Sequence, residues 1–168
     1  LDSQVSGLSY PELPKYDVEA ARKLLADAKL TYNEEEKKIY NIDGGVATIN
    51  VAVLKRDKIL NRAERFAEEL KALGFEVSMN VFDESLAGAD FITSVIKPRE
   101  YDILFYEIDL GVSADPFVYY SSTQASGSGW HFSNYGNVQE DDALLSAHNT
   151  GNVGQKKTKY EAFLRHWV

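Results

Sequence analysis

The chain has 168 residues, 44% of them hydrophobic and 26% charged, an ordinary globular composition that sets aside disordered, collagenous and disulfide-scaffold classes. Its 26 acidic against 18 basic side chains leave a net charge of −8, which repels phosphate backbones, so no nucleic-acid partner is expected. Cysteine is absent, which removes disulfides, thiolate metal sites and cysteine nucleophiles together.

No run reaches the roughly 18 consecutive apolar residues that a membrane span needs. Residues 1–10 also lack the charged-then-apolar order of a signal sequence. The chain starts at Leu1 rather than a methionine and stops at Val168 inside an amphipathic stretch, so it is expected to be a piece of a longer protein.

Taken in order, residues 1–15 read as a linker into a lobe, because Pro11 and Pro14 hold the backbone extended. Asp17 offers an N-cap to a helix reaching Lys29, with Ala20, Ala21, Leu24, Leu25 and Ala28 on one stripe. The charged run 34–38 reads as a solvated face, and Asp43-Gly44-Gly45 as a turn. Residues 46–54 are almost wholly apolar, which suits a central strand covered on both faces. Ile59, Leu60, Ala63, Phe66, Ala67, Leu70 and Leu73 then recur at helical spacing up to Gly74, which ends that helix. Phe75, Val77, Met79 and Val81 alternate with polar residues in a second strand. A helix is expected over 84–96, stopped by Pro98, followed by a third strand over 101–108. Two further helices are expected over 138–147 and 155–168.

Strands alternating with helices in this way give an α/β fold with a mostly parallel sheet and flanking helices. In such sheets ligands gather outside the carboxyl ends of the strands. That rule points to Lys55-Arg56-Asp57 after the first strand and, more strongly, to the long stretch 107–120 after the third. No glycines follow the first strand to let backbone amides approach a pyrophosphate, so a nucleotide cofactor is not expected. His131, His148 and His166 lack metal-ligand spacing, and no metal site is assigned. Glu107, Asp109 and Asp115 could form a glycosidase-like acid pair, while Asp109 and Asp115 offer carboxylates to a cationic amine and Tyr106, Tyr119, Tyr120, Trp130 and Phe132 supply aromatic contact area nearby. Asp115-Pro116 also has the form of a helix start, which divides Asp115 between capping and ligand contact. A hydrolytic use of these carboxylates with a histidine, or a module that docks a protein through its aromatic loop, are the alternatives.

Several blocks resemble solute-binding protein family 5, the peptide-binding proteins of ABC importers. Tyr16-Asp17-Val18-Glu19-Ala20-Ala21-Arg22-Lys23-Leu24-Leu25-Ala26-Asp27-Ala28 is similar to the family's "YDPEKAKKLLAEA" helix. Leu73-Gly74-Phe75-Glu76-Val77 resembles "LGIEV", and Tyr101-Asp102-Ile103-Leu104-Phe105-Tyr106 resembles "YDALLFG". Asp115-Pro116-Phe117 is similar to "DPDPF", and Tyr120-Ser121-Ser122-Thr123-Gln124 to "WHSSQ". The stretch from Trp130-His131-Phe132-Ser133 to Asp142-Ala143-Leu144-Leu145 resembles "NFSGYSNPEVDALL". These blocks occur in the family's order.

The resemblance implies a type II periplasmic-binding-protein lobe over residues 16–168, the second of two lobes that close on a peptide or related small solute. It implies no enzyme activity, no cofactor, and an ABC permease as membrane partner of the full-length protein. The chain itself would be monomeric. It also implies a periplasmic or extracellular location, anchored through a segment outside this chain. The family's amine-pairing aspartate maps to Asp109 or to Asp115. Tyr106, Glu107, Tyr120 and Trp130 complete the implied substrate-binding set.

Overall fold

A computed structural model describes residues 5–108, 115–126, 129–133 and 135–167. The chain divides into two compact units, Lys15–Ile108 and the combination of Leu1–Pro14 with Asp109–Val168.

The first unit opens with helix α1 (Val18–Asp27), whose N-cap Asp17 accepts the Ala20 N–H at 3.0 Å. None of its residues is fully buried, and Leu24 is 69% exposed. The apolar stripe read from sequence is therefore only partly used within this chain. A hairpin follows that the sequence analysis did not anticipate. Strands β1 (Thr31–Asn33) and β2 (Lys38–Tyr40) pair antiparallel around the charged run, with Asn33 Oδ1 accepting the N–H groups of Glu35 and Glu36. Ile39 is buried, and its N–H donates to the Gly74 carbonyl at 2.8 Å, which joins the hairpin to the end of helix α2 (Asp57–Leu73).

The sheet has the order β4-β3-β5, with β3 (Thr48–Leu54) parallel to both β4 (Glu76–Phe82) and β5 (Ile103–Phe105). The central place read for residues 46–54 is what the pairing shows. Within β3, full cover on both faces holds only for Val51, Ala52, Val53 and Leu54, since Thr48 and Asn50 are exposed. Helix α2 packs Ile59 and Ala63 against Val51 and Val53, with Ile49, Leu60, Val77, Met79, Ile103 and Phe105 around them. Gly74 ends α2 in the left-handed region at φ 116°, where a side chain would be strained.

The helix expected over 84–96 is shorter than its sequence pattern. Residues 84–88 form turns and a bend, 89–90 are irregular, and only Phe91 with a π-helical turn at Ile92–Ile96 is helical. Asp83 accepts Ser85 N–H, Asp90 accepts Ile92 N–H, and Gly88 adopts φ 79°, so local side-chain bonds outcompete a helical ladder there. The third strand is likewise three residues long instead of spanning 101–108. Asp102 Oδ2 accepts Asn50 N–H at 2.7 Å, a side chain taking the bond that a longer ladder would use.

The second unit is helical among its described residues. Helices α3 (Pro116–Tyr120), α4 (Val138–His148) and α5 (Val153–Trp167) bury Leu144, Phe163 and Leu164 beside Phe117 and Ala143. The two C-terminal helices expected from sequence are present within a residue or two of their anticipated ends. Val5 and Leu8 of the opening segment pack with Ala147 and Tyr160, so this segment contributes to the core of the unit.

Candidate functional site

Parallel pairing places the ends of β3, β4 and β5 together at one edge of the sheet. Chain order reverses between β3 and β5, the arrangement that opens a crevice at the strands' carboxyl ends. Lys55 and Arg56 follow β3, Asp83 and Glu84 follow β4, and Tyr106 and Glu107 follow β5. Because Leu54 pairs with Phe82, the next residues on each strand, Lys55 and Asp83, fall side by side. Lys55 Nζ lies 2.6 Å from Asp83 Oδ2, and Arg56 Nη2 lies 2.7 Å from Glu84 Oε2. The Lys55 ammonium and two bonds from Ser85 hold the Asp83 carboxyl well below the usual carboxylate range.

Tyr106 stacks on Phe91 at 5.2 Å between ring centroids, and Phe91 in turn meets Phe82 at 5.6 Å. Burial raises the Tyr106 phenol above its ordinary value, Glu84 adds to the rise and Arg56 opposes it, so both charges act at this ring. Glu107 is exposed. Sequence reasoning placed Lys55 and Arg56 near the crevice but missed Asp83 and Glu84. The available signal was opposite charge at equivalent positions after two strands, and it becomes visible once register is known.

The remaining expected site residues belong to the other unit. Asp109 lies outside the described residues. Asp115 caps α3 by accepting the Phe117 N–H on Oδ1 at 3.0 Å, and His148 Nδ1 lies 2.6 Å from its Oδ2. The His148 ring stacks on Phe117 at 4.7 Å. Both Asp115 oxygens are thus engaged within the protein, and its side chain is only 22% exposed. Tyr120, 40% exposed, closes α3 and meets Trp167 edge-on at 4.9 Å and Phe163 at 5.7 Å. Trp130, 43% exposed, lies 5.8 Å from Phe132. Asp115 and Tyr120 therefore share one short helix, while Trp130 stands on a separate loop with Phe132. Gly129 keeps that loop closed, since an added Cβ would meet the Gln124 carbonyl oxygen at 2.0 Å.

A second network fixes the other end of α3. Asp141 accepts the Ser121 hydroxyl at 3.0 Å, the Ser122 N–H at 2.7 Å and the Ser122 hydroxyl at 2.5 Å. Burial works to raise the Asp141 carboxyl, but the bonds from Ser122 and Ser121, with His131 nearby, outweigh it and lower it. Two separate sequence blocks, one around Ser121-Ser122 and one around Asp141, meet here. His131 is buried with Nε2 2.6 Å from Ser133 Oγ, and His166 is exposed. Among the described residues no group of three histidine or carboxylate side chains could hold a metal ion.

No protein-family profile and no curated protein matches the chain. Solved structures do. The oligopeptide-binding protein AppA from Bacillus subtilis, in complex with a nonapeptide, matches 98% of this chain and 32% of its own at 18% identity, with a TM-score of 0.80. The mannohexaose-bound periplasmic oligopeptide-binding protein of an oligopeptide ABC transporter from Thermotoga maritima matches 90% of this chain and 29% of its own at 18% identity, TM-score 0.71. NikZ from Campylobacter jejuni, in complex with Ni(L-His), matches 91% of this chain and 30% of its own at 21% identity, TM-score 0.68. The chain spans less than a third of the length of these proteins. The resemblance carried by the sequence blocks is thus borne out in the fold, which is the α/β fold that these solved structures have over this stretch.

Proposed function

We propose that this chain is part of the substrate-binding component of an ABC importer and captures peptides, or a related small solute, in a cleft between two lobes. Residues 16–168 are then the second lobe, and residues 1–15 lead into it. The observation that carries the reading is the parallel-sheet edge where Arg56 and Tyr106 flank the order reversal, in a fold shared along 98% of the chain with an oligopeptide-binding protein. The mechanism is lobe closure. Only the closed state lets both lobes touch the solute, so the solute's differential affinity shifts the population toward that state. The closed form is then presented to a membrane permease on the periplasmic or extracellular face, with anchoring through a segment outside this chain.

Asp109 is the better candidate for the solute amine, because Asp115 is already engaged by the α3 cap and His148. Tyr106, Tyr120 and Trp130 are candidates for aromatic contact, and Glu107 for polar contact. One lobe offers half a cleft, so short peptides should bind this chain only weakly, in the millimolar range. The full-length protein should bind them at micromolar levels or tighter. Calorimetric titration of both with tripeptides to pentapeptides tests this. Micromolar affinity in the chain alone would contradict the two-lobe mechanism, and hydrolysis of a substrate abolished by Asp109→Asn would replace capture with catalysis.

A further inference from the structure

Strand β5 is an edge of its sheet: among the described residues it pairs with β3 and with no other strand. The Asp102 N–H donates to the Asn50 carbonyl at 2.9 Å. Backbone direction alternates along a strand, so the Leu104 N–H points into the sheet while the N–H groups of Ile103 and Phe105 point out of it. All three residues of β5 are half-buried, whereas Val51, Ala52, Val53 and Leu54 of β3 are fully covered. An edge with free donors and acceptors is a template for another strand.

Beside that edge lies an open groove of about 260 Å³, lined by Phe105 of β5 and by Arg62, Arg65, Phe66 and Glu69 of α2. Phe66 and Phe105 make its apolar part, 5.7 Å apart between ring centroids and tilted by 57°. Arg62 and Arg65 are exposed, and neither has an ion-pair partner among the described residues, although the chain as a whole carries a net charge of −8. With Glu69 as the one acid in its lining, the groove is net cationic.

We infer that this edge and groove take an acidic, extended segment of the full-length protein from outside residues 1–168, added to β5 as a further strand. An apolar side chain of that segment would rest on Phe66 and Phe105, and a carboxylate on Arg62 and Arg65, whose planar forks suit it. The inference rests on the reading of the chain as one lobe of a longer protein. This chain spans less than a third of the length of the solved structures that share its fold, so the full-length protein has other segments to supply. A tethered segment meets the edge at high effective concentration. A second copy of the chain would instead bring its own Arg62 and Arg65 against these two, and like charges oppose that occupant.

Residue-resolved hydrogen exchange in the full-length protein and in this chain tests the assignment. The Ile103 and Phe105 N–H groups should exchange about tenfold more slowly, or slower still, in the full-length protein, beyond any change at Leu104, whose N–H is already used within the sheet. Arg62→Gln combined with Arg65→Gln should remove about fivefold of that protection in the full-length protein and none in the chain alone. High salt should act on the unmodified full-length protein in the same direction as the double variant. Glu69→p-benzoylphenylalanine should photocrosslink, within one molecule, to a segment outside residues 1–168. Equal exchange of Ile103 and Phe105 in the two proteins, protection indifferent to both arginines, or a crosslink to a second molecule in place of such a segment would overturn the proposal. Peptide capture by the full-length protein is read separately by calorimetry, so the added strand can fail while capture stands. Protection retained in a full-length protein that binds no peptide would overturn the solute-binding reading alone.

Discussion

Asp115 Oδ2 lies 2.6 Å from His148 Nδ1, a contact that joins the cap of α3 to the last residue of α4 across 33 positions of sequence. The short helix bearing Tyr120 is thus clamped at its start by Asp115 and His148, and just after its end by Ser121, Ser122 and Asp141. Replacing Asp115 by alanine removes the cap as well as the partner of His148. Urea unfolding should show a loss of about 1–2 kcal/mol. Asp115→Asn should lose much less, because asparagine caps nearly as well. Equal losses would mean that the His148 contact, and not the cap, holds this end of the helix.

Asp141 accepts three hydrogen bonds, and its carboxyl titrates below the ordinary aspartate range. A depressed folded-state value means that its contribution is fully present above the unfolded pKa of about 4 and is lost as pH falls from there. Asp141→Ala should cost about 2–4 kcal/mol at neutral pH, since two buried or half-buried serines lose their acceptor. It should also flatten the acid limb of the stability curve. A variant with the full acid limb retained would place the acid sensitivity elsewhere, with Asp83 as the next carboxylate to replace.

The Tyr160 hydroxyl is fully buried and has no hydrogen-bond partner among the described residues, and burial together with the Asp115 charge pushes it up to about 12. The unfolded chain releases this proton near pH 10, so stability is intact below about pH 10 and declines as pH rises toward about 12. Tyr160→Phe removes an unsatisfied hydroxyl without changing the ring. It should raise stability by about 1 kcal/mol at neutral pH and reduce the alkaline loss. Ultraviolet titration of tyrosinate checks the assignment: the latest-ionising tyrosine should be missing in the variant.

Gly74 combines φ 116° with close neighbours, its added Cβ meeting Tyr32 Cε2 at 3.0 Å and both Ile39 Cγ1 and Ile39 N at 3.2 Å. Gly74→Ala should destabilise by roughly 2 kcal/mol or more through backbone strain and crowding against the hairpin. A melting temperature equal to that of the unmodified chain would show that the turn can relax freely.

Helix α2, its Gly74 stop and the central place of β3 were legible because apolar spacing and a left-handed glycine are properties of a few adjacent residues. The same reasoning overextended the helix at 84–96. Periodicity registers apolar spacing there but not the competition from Asp83, Asp90 and Gly88, whose local bonds and backbone turn the chain. The hairpin at 31–40 escaped notice because its strands are three residues each and its turn is a run of charge. Leu24 reads as core on a helical stripe, yet what packs on a stripe depends on distant chain, and here it is exposed.

The order β3-α2-β4-β5, the parallel sheet and the edge at which a ligand would gather follow from the sequence alone, since they rest on local periodicity and on chain connectivity. Which charges at that edge are available was decided by tertiary structure. Lys55 meets Asp83 and Arg56 meets Glu84 only because parallel register brings together residues 28 positions apart. Asp115 is engaged by His148 only because two helices pack, and that contact together with the cap leaves its carboxylate mostly covered and with fewer lone pairs open to a solute.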